Sequence, residues 1–286
     1  MKKHYYILLA LLPALVSCEF GVNLDEIPYE PKIVVEGRIE NNTYASVLLS
    51  VSAPVLGEQD TIKLLNHVIR SARVTVSDGE TSEVLRLAYS PDHLPPYEYK
   101  GHVIRGEVGK NYSLKIEYDN KIITATTHIP EPVDIDDIWF RRNSENDTTG
   151  YIGVSFKNTS NQFYSVATSP YSVKGVFTPC LYGNVNSSHY PAGEQIDMEL
   201  RKGPSIYPKN NFKTYYLASD TIRIKLCTQP RSAYDFWTSY QNEIINTQNP
   251  LFPAFSSLKS NIEGGIGIWS GYGSVTYGVI LAKIER

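Results

Sequence analysis

Three cysteines are the residues best equipped for chemistry in this sequence, and the first of them sits in a pattern that dictates its reaction. Leu15-Val16-Ser17-Cys18 places a small residue before a cysteine and a branched apolar residue three positions upstream of it, the pattern of a bacterial lipobox. Lys2 and Lys3 form a positive start, and the apolar run Tyr5 to Leu15, broken only by Pro13, has the length of a secretory signal. That run is too short to span a bilayer. The expected chemistry is alkylation of the Cys18 thiol by diacylglycerol, cleavage of the peptide bond before it, and acylation of the new amino group. With about 0.8 kcal/mol per buried methylene, two such chains suffice for stable anchoring. Residues 1–17 are accordingly read as a signal peptide.

Lipid on Cys18 leaves Cys180 and Cys227, and an even pair in an oxidising compartment is a candidate disulfide. It would close a loop of about 46 residues and stabilise the fold by around 4 kcal/mol in the chain-entropy model. The alternative is a pair of separate buried thiols. Neither cysteine has a histidine near it in sequence, which weighs against a catalytic thiol.

Other groups have weaker claims. His67, His93, His102, His128 and His189 lie far apart, and none share the i, i+4 spacing of a helical zinc site. No Gly-x-Ser-x-Gly elbow occurs. Asp134, Asp136 and Asp137 fit a solvated turn better than an acid/base pair. The glycines between Gly264 and Gly271 alternate with Ile and Trp and run into another strand, so a closely packed hairpin is expected rather than a phosphate loop. No catalytic residue, metal or cofactor is therefore expected. Aromatic side chains crowd the second half, and tyrosine and tryptophan dominate recognition surfaces. Tyr182, Tyr190, Tyr207 and Trp237 are the candidate ligand or partner contacts, although core packing would use the same residues.

The elements that must position these groups read as strands. Tyrosine is abundant at 21 against two methionines, and β-branched residues are common throughout. Without residues 1–17, which hold two lysines and no acid, 25 basic residues face 30 acidic ones, a net charge of −5. A mildly acidic chain lacks the electrostatic footprint of a nucleic-acid binder. Residues 18–31 read as a tether. Residues 32–130 show period-2 runs near 32–40, 45–53, 72–77, 84–88, 97–102, 112–118 and 122–129, with Asp119-Asn120 as a two-residue hairpin turn. Seven short strands at this spacing predict an immunoglobulin-like β-sandwich.

Pro130 and Pro132 mark a boundary. Residues 131–286 predict a second, mainly-β domain. Its strands fall near 138–142, 150–157, 163–169, 215–217 and 222–226, with an irregular stretch over 179–211. One helix is expected near 232–246, capped by Ser232, and two closing strands, 266–269 and 275–284, are joined by Ser270-Gly271-Tyr272-Gly273. The fold class is thus all-β.

Several pieces occur together in order: the lipobox with Glu19, Pro31-Lys32-Ile33-Val34-Val35-Glu36-Gly37, Ala72-Arg73-Val74-Thr75-Val76, Gly109-Lys110-Asn111-Tyr112-Ser113-Leu114, Ala125-Thr126-Thr127-His128-Ile129-Pro130, Phe236-Trp237, Asn249-Pro250-Leu251-Phe252 and Asn261-Ile262-Glu263-Gly264-Gly265-Ile266-Gly267. The set resembles the domain-of-unknown-function family numbered 4249, outer-membrane lipoproteins of Bacteroidota. The resemblance implies location and company, an accessory of a TonB-dependent outer-membrane barrel, and supplies no catalytic residues. The expectation is an outer-membrane or cell-surface binding lipoprotein, held by lipid on Cys18. A structural or adhesive surface protein is the alternative, and an enzyme comes third.

Overall fold

Alternation decides which side of each strand is buried. In β1 (Ile33–Glu40), Ile33, Val35 and Ile39 are buried, while Val34, Glu36, Arg38 and Glu40 point to the other face. A computed structural model describes residues 30–52, 65–90, 95–159, 161–173, 175–203, 214–247 and 258–286. The same period-2 burial recurs in β2 (Tyr44–Val51), β3 (Arg73–Ser77), β7 (Asn111–Tyr118) and β8 (Lys121–His128). The remaining strands of the first half are β4 (Ser82–Val84), β5 (Arg86–Tyr89) and β6 (Tyr97–Arg105). Asp119 and Asn120 take left-handed φ values of 48° and 57°, the geometry of a two-residue hairpin turn, and join β7 to β8 as expected.

The second half contributes β9 (Asp137–Arg142), β10 (Thr149–Lys157), β11 (Phe163–Pro170), β12 (Thr178–Asn186), β13 (Gln195–Leu200), β14 (Tyr216–Leu217) and β15 (Thr221–Gln229). Helix α1 (Arg231–Thr247) and β16 (Ile266–Ile280) close the chain. One eight-stranded sheet runs β12-β11-β15-β16-β1-β2-β6-β5. Two four-stranded sheets accompany it: β4-β3-β7-β8, and β10 paired with β13, β14 and β9. The fold is all-β and sandwich-like, with one long helix among the described residues.

Each small sheet encloses a core against part of the large one. The first core joins Val35, Ile39, Val47 and Leu49 to Val74, Val76, Leu114, Ile116 and Ile123. The second joins Phe140, Ile152, Val154, Phe156 and Ile196 to Tyr164, Val166, Ile222, Ile224 and Leu226. The cores change over near Pro130, where a boundary was expected, but the halves do not separate there. Ile262 and Trp269 return to the first core, and residues 32–286 form one compact unit. The physical reason is β16, which pairs parallel to β1 through Val34↔Ile266 to Glu40↔Tyr272 and antiparallel to β15 further on.

That strand corrects a second expectation. Ser270-Gly271-Tyr272-Gly273 is no turn: residues 266–280 are one continuous strand. Its glycines mark close approaches of other backbone. A Cβ on Gly271 would lie 2.2 Å from the His128 carbonyl oxygen and one on Gly273 2.1 Å from that of Pro130, so the connection between the small sheets crosses β16 there. Gly267 is more constrained still, with φ +125° and the Val35 carbonyl oxygen 1.9 Å from any added Cβ. The stretch 179–211 is also more regular than expected, because β12 and β13 lie within it. The run expected over 84–88 is divided between β4 and β5, which join different sheets.

Candidate functional site

Of the cysteines, histidines and aromatic residues singled out by sequence, Cys18, His93 and Tyr207 lie outside the described residues. Cys180 and Cys227 are both buried and both free, which overturns the disulfide. They stand on β12 and β15, with β11 between them. Strands two apart in a sheet lie about 9–10 Å from each other, beyond the reach of a disulfide. Their side chains also belong to different clusters: Cys180 packs in the second core, with Tyr216 Oη 3.6 Å and Thr168 Oγ1 3.9 Å from its sulfur. Cys227 packs beneath α1. Burial pushes the Cys180 thiol up to about 11 and the Cys227 thiol up to about 12, so neither is a nucleophile at neutral pH.

Tyr182, Tyr190 and Trp237 occupy different settings. Tyr182 on β12 is 72% exposed and has a left-handed φ of 58°, a strained conformation for a bulky side chain. Tyr190 follows a short 3-10 turn, and its carbonyl oxygen accepts a hydrogen bond from Asn158 Nδ2 at 2.7 Å. Trp237 has a packing role: its indole N–H donates to Tyr272 Oη at 2.9 Å. Its ring meets Phe236 and Tyr240 edge-on at 5.1 and 5.8 Å. Ala233, Phe236, Trp237 and Tyr240 recur at helical spacing and turn one face of α1 toward Ile268, Cys227 and Tyr272. The helix starts one residue earlier than expected, after Pro230, whose carbonyl oxygen receives Ala233 N at 3.1 Å.

The most concentrated polar chemistry lies beside this helix, on the outer face of the large sheet. Glu40 is 9% exposed, and its two carboxylate oxygens accept from Lys225 Nζ at 2.7 and 2.8 Å. Ser274 Oγ donates to the same carboxylate at 2.9 Å, and the ammonium of Lys225 lies 4.1 Å from the Phe177 ring centroid. Burial raises the Glu40 pKa, but the Lys225 charge and hydrogen bonds outweigh it, so the net shift is downward. On the other flank, Glu98 is buried, accepts from Ser46 Oγ at 2.5 Å and pairs with Lys100 Nζ at 2.5 Å. Its pKa is lowered on balance, with the burial penalty outweighed by Lys100 and Ser46.

Between these paired carboxylates stand Glu36 and Arg38. Their cross-strand neighbours are Leu48 and Ile268 for Glu36, Ser46 and Ser270 for Arg38. Solvent reaches Glu36, yet surrounding protein crowds it enough to push its carboxyl pKa up. Arg38 opposes that shift and Glu98 adds to it. Neither Glu36 nor Arg38 makes a hydrogen bond or an ion pair among the described residues. Sequence inspection missed this row, although a strand reading Glu36-Gly37-Arg38-Ile39-Glu40 carries a charge at every outward position. Among the described residues, no three His, Cys, Asp or Glu side chains gather in a metal-binding group.

Fold and site together define a class: an all-β protein in which two sandwiches share one long sheet, with a charged, helix-flanked outer face. The family model described as Domain of unknown function (DUF4249) matches residues 19–277, and the chain belongs to that family. No curated protein matches the chain.

Proposed function

We propose that this chain is a lipid-anchored binding protein of the outer membrane or cell surface, acting as an accessory of a TonB-dependent nutrient transporter. The observation that carries the reading is Leu15-Val16-Ser17-Cys18, followed by a short polar stretch before the first strand begins at Ile33. Lipid on Cys18 tethers a β-rich body to a membrane without a spanning segment. Exposed tyrosines, Tyr182 foremost, and the open charged pair Glu36–Arg38 give that body surfaces suited to recognition.

Purification of the tagged lipoprotein from outer membranes in mild detergent tests the partner. A TonB-dependent barrel is expected to accompany it, and its reproducible absence would overturn the accessory role. Cys18→Ser tests the anchor, because the variant should leave the membrane fraction. Retention there in full would refute lipid attachment at this residue.

A further inference from the structure

The row Glu36–Arg38–Glu40 divides into a part the fold uses and a part it leaves open. Glu40 is consumed by Lys225 and Ser274, and Glu98 by Lys100 and Ser46. Among the described residues Glu36 and Arg38 keep their hydrogen-bonding capacity, one an acceptor and one a fork of donors. Three neighbours bound the space over Glu36. Ile268, its partner on β16, packs with Phe236, Trp237 and Tyr272, so α1 flanks that side. Tyr240, stacked on Phe236 at 6.3 Å and 42% exposed, is close enough for its phenol to interact electrostatically with Glu36. Leu48, half-buried on β2, borders the opposite side. Two charges of opposite sign thus stand on an open sheet face, with aliphatic neighbours on both flanking strands and the aromatic face of α1 beyond Ile268.

The two open charges select the ligand. A simple cation attracted to Glu36 meets Arg38 on the same strand face, and a simple anion attracted to Arg38 meets Glu36. A ligand with both signs satisfies both. Outward side chains two positions apart on a strand are spaced by about 6.6 Å, and the ends of a two-residue extended chain are separated by a similar length. The charges of a single amino acid lie too close together to match that span.

We propose that Glu36 and Arg38 bind the two ends of a zwitterionic dipeptide-sized ligand, the carboxylate of Glu36 receiving its ammonium and the guanidinium of Arg38 its carboxylate. The peptide lies along β1 with its amino end at Glu36, and its apolar side chains contact Tyr240 on one side and Leu48 on the other. Arg38 engages the carboxylate with paired, charge-assisted hydrogen bonds. The crowding that raises the Glu36 pKa is relieved by the bound ammonium. Glu36 therefore holds its negative charge to lower pH in the complex, with Arg38, Glu98, Tyr240 and Tyr272 the other titratable groups around it. This site goes beyond the transporter role and does not require it: dipeptide binding without a co-purifying barrel would remove only that role.

Calorimetric titration of the detergent-purified full chain with L-leucyl-L-leucine at pH 7 is the test. Binding is expected, at least about tenfold tighter than that of free L-leucine, N-acetyl-leucyl-leucine or leucyl-leucine amide. Glu36→Gln and Arg38→Gln should each weaken it by about tenfold or more while leaving the melting temperature unchanged. Should either variant unfold, the end-blocked peptides on the native chain decide the matter. No heat at about 1 mM dipeptide, or equal affinity for free and blocked ends, would overturn the proposal.

Discussion

Glu83→Ala should be among the most damaging single changes in the first sandwich. Glu83 lies on β4 and is 5% exposed, and its carboxylate reaches β6 in the facing sheet. There it accepts the backbone N–H of His102, that of Val103 at 3.0 Å and that of Ile104 at 2.6 Å. These donors are free because β6 bulges: Tyr44 pairs with Arg105 but Ser46 with Lys100, which leaves the residues between without a ladder. Hydrogen bonds to a charged acceptor contribute about 1.5–3 kcal/mol each, and a buried donor stripped of its partner costs a similar amount. Ile104 is buried and bears that cost in full. His102 and Val103 are exposed, so water recovers most of theirs. The sum is about 3–5 kcal/mol, equivalent to about 10 °C in melting temperature for a chain of this size. Glu83→Gln keeps one acceptor oxygen and should lose about 1–3 kcal/mol. Denaturant titration at pH 7 measures both, and amide exchange at residues 102–104 should accelerate in step. A Glu83→Ala loss below about 1 kcal/mol would refute the bracing role.

Lys225→Met leaves the Glu40 carboxylate buried without its counter-ion and should destabilise the chain by about 3–5 kcal/mol at pH 7. Because the folded Glu40 pKa is lowered from its ordinary 4.5, the pair's contribution is complete above that value and fades as pH falls through the folded one. The penalty should therefore shrink below about pH 4, and a penalty equal at neutral and acid pH would sink the assignment. For the cysteines, iodoacetamide at pH 8 should leave Cys180 and Cys227 unlabelled in the native chain and label both after unfolding without reductant. An intact mass with neither labelled after unfolding would restore the disulfide. Gly267→Ala, forced against the Val35 carbonyl oxygen at positive φ, should lose about 2–4 kcal/mol by thermal melt. A change within about 1 kcal/mol would mean that β16 does not approach β1 as described.

Most strands could be read from the sequence because their alternation is local. Ile33 to Glu40, Arg73 to Ser77 and Phe163 to Pro170 each bury every second residue, and Asp119-Asn120 announces its hairpin through side chains that tolerate positive φ. What misled was glycine. Ser270-Gly271-Tyr272-Gly273 reads as a turn because turns are glycine's commonest setting, whereas Gly271 and Gly273, like Gly267 within the preceding strand, are placed by backbone arriving from His128, Pro130 and Val35. Those partners are remote in sequence, so nothing local distinguishes a glycine that bends the chain from one that is crossed by it. At Pro130, too, the decisive partner is remote. The prolines do mark where the core changes, but a strand more than 130 residues later joins both halves in one sheet.

The charged row was hidden more deeply, because its chemistry depends on which elements the fold places beside identical residue types. Glu36 and Glu40 occupy equivalent outward positions on one strand and look alike in sequence. Glu40 meets Lys225 across 185 positions and Ser274 across 234, and becomes a buried structural ion. Glu36 is flanked by Ile268 and Leu48, which offer no donor, and becomes an open carboxylate crowded by protein. Two like charges thus acquire opposite pKa shifts, downward where Lys225 both pairs with and hydrogen-bonds the carboxylate and upward where burial, with Glu98, outweighs the more distant charge of Arg38. If that contrast is correct, supplying Glu36 with a partner should reverse its shift. Leu48→Lys, directly opposite it on β2, should lower the Glu36 pKa and abolish dipeptide binding together. Retention of full dipeptide affinity in Leu48→Lys would refute the idea that Glu36 binds because the fold leaves it unpaired.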